Sequence, residues 1–507
     1  MAAAFFIAGT DTEIGKTTVA AGLLLITLDN SVLYTALPTL TRELGATTTQ
    51  GLWIINAYPL VMAGLLLGAG TLGDRIGHRT MFLAGLVLFG IASIVAAFSP
   101  TPEVLIAARA FLAIGASAMM PATLALIRIT FTVERERNIA IAIWGSISIV
   151  GAAIGPIIGG LLLEHFWWGS VFLINVPVVI AAFIGTLLVA PKVAGDGSRP
   201  WDLLSSVLAL AALSALVIAI KDAASANPSS AVLSAALLVT AAAGFLFVRR
   251  QARLPFPLLD FSIFRNPAFS SGVLAAAMMM FALGGIQLVT TQRFQLVAGY
   301  SPLEAGLLVS AAAIGSLPTA LLGGALLHRI GLLYLIAGGL GAGSLAVLLT
   351  AWGLSQGTGW VLAGMFLTGA GLGAAASVAS TAIIGNAPVH RAGMAASVEE
   401  VSYEFGGLLA VAILGSLLSA LYTLGIALPE GAPVEARDNI ATALTLAAGD
   451  TANGPALVAA ASAAFDNAYL VVMYVGAALL AAGAIVTGVL LRRYGPGSQS
   501  SLYPSSH

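Results

Sequence analysis

Asp29, Arg109, Glu399, Glu400 and Glu404 stand inside long apolar stretches, and their types and spacing define the chemistry open to this chain. In a helix, a spacing of four puts Glu400 and Glu404 on one face, while Glu399 points about 100° away. Two carboxylates within reach of each other disfavour double ionisation, so one of them can hold a proton at neutral pH. Such a pair suits exchange: an incoming lipophilic cation favours the ionised form and expels the proton, and reprotonation displaces the cation. The competing reading is an ordinary helix start, because His390 and Arg391 lie just upstream and acids favour helix N-termini. Depth separates the three, with Glu399 and Glu400 about two turns inside and Glu404 deeper and safer as a cavity residue. Asp29 lies about twelve residues into the first apolar run, where an ionised group costs roughly 2.5–3.5 kcal/mol on insertion scales. It is therefore either a carboxylate alternating between proton and cation or a paired group joining helices. Arg109, about six residues into the fourth run, could tune a buried acid or form a purely structural ion pair. Tyr34, Trp53, Tyr58, Trp144 and Tyr403 could hold flat cations on their faces, or serve as packing and interface anchors.

The elements that must position these groups follow from composition. The 507 residues are 59% hydrophobic and only 8% charged, so most of the chain is suited to lipid rather than water. Apolar runs of about 20 residues match a hydrocarbon core of roughly 30 Å, and backbone satisfaction in lipid demands helices. Fourteen spans are expected, beginning near Thr17, Gln50, Arg79, Glu103, Arg137, Ser170, Asp202, Ala231, Ala268, Glu304, Gly331, Trp360, Met394 and Asp466. With both termini cytoplasmic, most of the 21 Lys and Arg residues fall on the inside; only Arg42, Lys221, Arg293 and Arg437 fall outside, as the positive-inside bias requires. A formal net charge of −1 argues against nucleic acid, and the absence of cysteine excludes disulfides, thiolate chemistry and cysteine-bound zinc. No cofactor or metal is expected.

GTLGDRIG (Gly70–Gly77) and GALLHRIG (Gly324–Gly331) share five of eight positions and suggest two homologous halves. The expected division is a leader at 1–16, a six-helix bundle at 17–200, two inserted helices at 201–250, a second six-helix bundle at 251–495 and a tail at 496–507. Within the second bundle, 424–465 reads as an extracytoplasmic loop. Thr17 reads as the opening of the first span. Before it, FFIAGTDTEIGKT (Phe5–Thr17) resembles the phosphate loop of dethiobiotin synthetases, with Gly9, Gly15, Lys16 and Thr17 in the nucleotide-binding roles. No α/β pattern follows to complete a nucleotide site, so ATP hydrolysis is not expected.

GTLGDRIGHR (Gly70–Arg79) resembles the loop signature of the major facilitator superfamily, in which Gly70, Asp74, Arg75, Gly77 and Arg79 act in the conformational switch, Asp74 and Arg75 as a breakable latch between helix ends. GAAIGPIIGG (Gly151–Gly160) resembles the antiporter motif of the drug:proton branch, where Gly151, Gly155 and Gly159 allow tight packing and Pro156 softens the helix. LWIINAYPLVMAG, FLINVP (Phe172–Pro177) and AASVEEVSYEFG (Ala395–Gly406) are similar to the fourteen-helix QacA-like quaternary ammonium exporters. The resemblance implies an all-α major facilitator fold of two six-helix halves plus two inserted helices. It also implies proton-coupled export of hydrophobic or cationic drugs across a bacterial inner membrane by a monomer that is not an enzyme. Asn56 and Ser316 stand where that group commonly has acids, and Leu112 where it has glutamine, which keeps open a transporter of one physiological metabolite.

Overall fold

Among the described residues, helices form where the apolar runs lie. The computed structural model describes residues 11–130, 150–151, 154–190, 195, 201–223, 228–254, 257–387, 392–449 and 453–494, and these contain no β-strand. In chain order the main helices are α1 (Asp11–Leu44), α2 (Thr48–Ile76), α3 (His78–Ala97), α4 (Pro102–Thr130), α5 (Ile154–His165), α6 (Ser170–Leu188), α7 (Leu203–Ala223) and α8 (Ser230–Gln251). There follow α9 (Pro267–Leu296), α10 (Pro302–Ile330), α11 (Leu332–Gln356), α12 (Thr358–Ile384), α13 (Met394–Gly425), the short α14 (Ile440–Gly449) and α15 (Gly454–Leu490). Thirteen helices among the described residues are long and apolar enough to cross a membrane, and α5 occupies the place of the expected fifth span.

Two boundaries differ from the sequence reading. α1 already includes Asp11, so Gly15, Lys16 and Thr17 belong to a helix and not to a phosphate-cradling loop. The last helix begins at Gly454 rather than near Asp466, and α14 occupies part of the stretch read as loop. Asp466 looks like a span boundary in sequence, but Arg293 of α9 donates to both its carboxylate oxygens at 2.9 and 3.2 Å, so the helix runs through it.

Two apolar cores organise the bundle. One gathers side chains of α1–α4 and α6; the other gathers α9–α15. Leu288 of α9 and Val411 of α13 bury themselves in the first core, tying the two together. The related octapeptides take up matching conformations. Gly77 and Gly331 both follow a helix end with positive φ, +91° and +84°, and each N–H caps the carbonyl four residues back, at 2.9 and 2.8 Å. A side chain would be strained there, which explains why both turns keep glycine.

α7 and α8 form a hairpin stapled at its base. Arg250 forks onto Asp202 at 3.0–3.1 Å, and Ser205 donates its N–H to the same carboxylate at 3.2 Å. Burial pushes the Asp202 carboxyl up, but the hydrogen bonds from Arg250 and Ser205 outweigh it and hold the group below its usual range.

The halves meet where α1 and α9 end and where α2 and α10 begin. Gln295 Nε2 donates to the Thr35 carbonyl at 2.9 Å. Gly306 of α10 lies against the Pro156 backbone so closely that an added Cβ would fall 2.8 Å from the Pro156 carbonyl carbon. Gly306→Val therefore wedges this end open, at the ~1–3 kcal/mol typical of overpacking. Because the chain has no cysteine, a Thr35→Cys/Gln295→Cys pair reports closure directly. Its crosslinking yield is expected to fall about tenfold in the Gly306→Val background, the change that ~1.4 kcal/mol makes in a population; an undiminished yield would refute the wedge.

Candidate functional site

Asp29 and Arg109 meet in the middle of the first core. Both side chains are buried, at 1% and 0% exposure, and Arg109 Nη1 donates to Asp29 Oδ2. Asn175 Nδ2 of α6 donates to the other carboxylate oxygen at 2.8 Å. Arg109 also donates from Nε to the Ile54 carbonyl at 3.2 Å and from Nη2 to Asn30 Oδ1 at 3.3 Å, and its guanidinium stacks 4.5 Å from the Tyr58 ring centroid. Four helices, α1, α2, α4 and α6, thus converge on one ion pair whose charges are satisfied from every side. Burial at this depth is tolerable because each ionic group is both paired and hydrogen-bonded. Of the two sequence alternatives for Asp29, this conformation displays the paired one.

The acids of α13 are arranged differently. Glu399 is 7% exposed and accepts hydrogen bonds from Ser380 Oγ at 3.2 Å and Tyr403 Oη at 3.1 Å. Tyr403 is thus engaged with a neighbouring acid. Glu400 and Glu404 are half-buried and have no hydrogen-bond partner among the described residues. Glu404 lies within electrostatic range of Arg109, Tyr34 and Tyr58, and Glu400 within range of Glu399 and Glu404. Of the α13 acids, Glu404 is therefore the one that faces Arg109 of the other half. Tyr34 stands between them, its hydroxyl 3.0 Å from where a Cβ on Gly284 of α9 would be. An unpaired carboxylate with partial access, opposite a buried guanidinium, can bind a cation or a proton and transmit the difference in charge to that pair.

The remaining expected residues fall into place unevenly. Trp53 faces α7, where Lys221 Nζ caps its ring at 4.3 Å. Trp144 lies outside the described residues. Gly151, Gly155 and Gly159 all face α1: added Cβ atoms would meet the Thr27 Cβ at 3.0 Å, the Ser31 Cβ at 2.8 Å and the Val32 Cγ1 at 2.9 Å, and Ser31 Oγ donates to the Gly151 carbonyl at 3.1 Å. Pro156 and Gly160 turn instead toward the opposite half. At the other end, Asp74 pairs with His78 at 3.0 Å, and Gly70 stands 4.0 Å from Ser397 Oγ of α13 by its added Cβ. Arg75 is exposed, while Arg79 Nη2 reaches the Leu187 carbonyl at 3.0 Å. Among the described residues, Arg79 links the α2–α3 turn to the end of α6.

Sequence reasoning missed Asn175, Ser380 and Lys221. Asn175 lies inside the quoted FLINVP segment, where a lone amide in an apolar run was the available signal. Ser380 left none, because serines are frequent in these helices.

Comparison with known proteins now decides the family. The family model described as Major Facilitator Superfamily matches residues 19–411. The chain belongs to that superfamily. It is 41% identical over 409 residues to the methyl viologen resistance protein SmvA of Salmonella typhimurium, covering 80% of this chain and 82% of SmvA. It is 36% identical over 482 residues to the multidrug efflux pump LfrA of Mycolicibacterium smegmatis, covering 94% and 95%. A bacterial homologue of the human lysosomal transporter Spinster, in an inward-facing and unoccupied conformation, superposes with a TM-score of 0.67 over 96% of this chain and 98% of that one, at 17% identity. That likeness shows the fold. The chain is a multi-span membrane protein of this superfamily.

Proposed function

We propose that the chain is a proton-coupled antiporter that exports lipophilic cations, such as quaternary ammonium compounds and dyes, from the cytoplasm across a bacterial inner membrane. The observation that carries this reading is Glu404: a half-buried carboxylate without a hydrogen-bond partner among the described residues, facing Arg109 across the seam between the halves. Relatives named for methyl viologen resistance and multidrug efflux support the substrate class. In the proposed cycle a cation enters while the end containing Thr35 and Gln295 is closed, neutralises ionised Glu404 with help from Glu400, and releases the proton. Loss of that proton changes the charge facing Arg109, which loosens or tightens its hold on Asp29 and biases rocking of the halves. Reprotonation from the far side then ejects the cation. Each charge moved across 100 mV supplies about 2.3 kcal/mol.

The same reading places both termini in the cytoplasm, assigns 17–200 and 251–495 to the two halves and 201–250 to the insertion, and treats the protein as a monomer that carries solutes rather than transforming them. Tyr34 is its preferred aromatic contact, since it is partly exposed and within electrostatic range of Glu404, whereas the Tyr58 ring is buried beneath Arg109. A dedicated metabolite transporter is the second reading. Asn56 favours it, because this residue is fully buried and neither amide atom has a partner among the described residues, as suits a site made for a polar substrate group.

Purified protein in liposomes, loaded with ethidium and subjected to an imposed proton gradient, tests the proposal. Accelerated efflux that a protonophore abolishes is the expected result. Gradient-independent or absent efflux from folded protein would overturn it and turn the search toward a polar metabolite.

A further inference from the structure

The inserted hairpin holds a lysine in an unusual place. Lys221 sits in the last turn of α7, at the end of the bundle where α2 begins. A lysine so placed ordinarily extends its head to the nearby aqueous boundary. Lys221 turns inward instead: it is 9% exposed, its Nζ has no hydrogen-bond partner among the described residues, and it rests 4.3 Å from the centroid of the Trp53 ring.

The hairpin docks on α2 in an antiparallel zip. Ser206 abuts Gly68, Leu210 abuts Gly64 with 2.8 Å from an added Cβ to the Leu210 Cβ, Val217 packs with Leu60, and Lys221 covers Trp53. The same apolar cluster includes Leu408 and Ala412 of α13. α7 therefore lies along the seam between α2 and α13, which belong to opposite halves. Leu408 is one turn beyond Glu404 on the same face of α13, and Ala412 lies a further turn on, in the π-helical turn Val411–Gly415. Trp53 stands about two to three turns beyond Glu404 along this seam, toward the closed end. The indole face is the strongest cation-binding aromatic surface available to a protein. It is already covered, by the Lys221 amino group that the chain itself supplies.

We propose that Trp53 and Lys221 form a release station, in which the indole face receives the departing organic cation and the tethered Lys221 ammonium displaces it. This rests on the reading of the protein as a cation exporter. Displacement by a tethered group needs no diffusion and leaves the face closed to a cation returning from outside, so Lys221 gives direction to the last step. Its neutral replacement should therefore hold substrate longer rather than lose it.

Tetraphenylphosphonium is the probe. Its dissociation constant and dissociation rate are measured on purified wild type, Lys221→Met, Lys221→Arg, Trp53→Leu and the Trp53→Leu/Lys221→Met double variant. Lys221→Met is expected to bind the probe about three- to thirtyfold more tightly, mainly through slower dissociation, the range that one desolvated cation–π contact spans. In liposomes the same variant should lower both KM and the maximal export rate. Lys221→Arg, which keeps a stacking cation, should behave as wild type, and the double variant should lose the gain. Lys221→Gln provides the same comparison if the methionine variant is not recovered folded. Unchanged or weaker binding in a folded neutral variant, or a gain that survives loss of Trp53, removes the station and leaves Lys221 as a packing pin. Absence of binding by wild type and neutral variant alike removes the station together with the export reading.

Discussion

Glu404→Gln is expected to abolish proton-driven export of ethidium from liposomes while leaving the protein folded. Glutamine keeps the shape of the side chain and removes only its ability to ionise. A unit cation about 4 Å from a carboxylate, at an effective dielectric of about 20, gains ~4 kcal/mol, which corresponds to about a thousandfold in affinity. Loss on that scale is expected in cation binding, and the gradient-dependent component of transport should vanish because the variant has no proton to exchange. Glu404 accepts no hydrogen bond from any described residue, so the substitution breaks no hydrogen bond among them. Glu399→Gln is expected to do less to binding and more to packing, since Ser380 and Tyr403 both donate to that carboxylate. Robust gradient-driven efflux by the Glu404→Gln protein would remove this residue from the coupling step.

The second large effect concerns stability. Asp29→Leu leaves the Arg109 guanidinium buried at 0% exposure with its counter-ion gone, a change that costs about 3–5 kcal/mol in buried pairs. Asn175 and Asn30 offer no replacement charge. Heat denaturation in detergent should therefore occur several degrees lower in Asp29→Leu and in Arg109→Met, whereas the double variant should recover most of the loss, because two apolar groups in that site leave no charge unsatisfied. Additive losses in the double variant would show that the pair acts as two separate packing residues. Transport should remain absent in all three, if charge displacement at Arg109 is what links Glu404 to rocking.

These two predictions use residues that the sequence marked in different degrees. Glu404 was legible because it lies deep in an apolar run, four residues from a second acid, and helical periodicity alone puts them on one face. Asp29 and Arg109 were legible as costly charges, but 80 positions separate them, and nothing local says that they meet. Their pairing depends on how α1 and α4 pack, and Asn175, from a third distant helix, completes it only in the folded bundle. Lys221 shows the same limit more sharply. Its position in the last turn of an inserted helix suggested an outward-facing charge, and only the docking of α7 on Gly64 and Gly68 turns it onto Trp53.

The sequence by itself determined the solvent, the helical class, nearly all the helix positions and the repeated turn at Gly77 and Gly331. These follow from local composition, from the need to satisfy every backbone group in lipid, and from the backbone conformation that glycine alone adopts without strain. The tertiary structure decided which charges are neutralised by partners among the described residues, where the halves touch, and that the last helix passes through Asp466. Each of these depends on side chains brought together from far apart in the chain, and a helical run carries no record of which neighbour its polar face will meet.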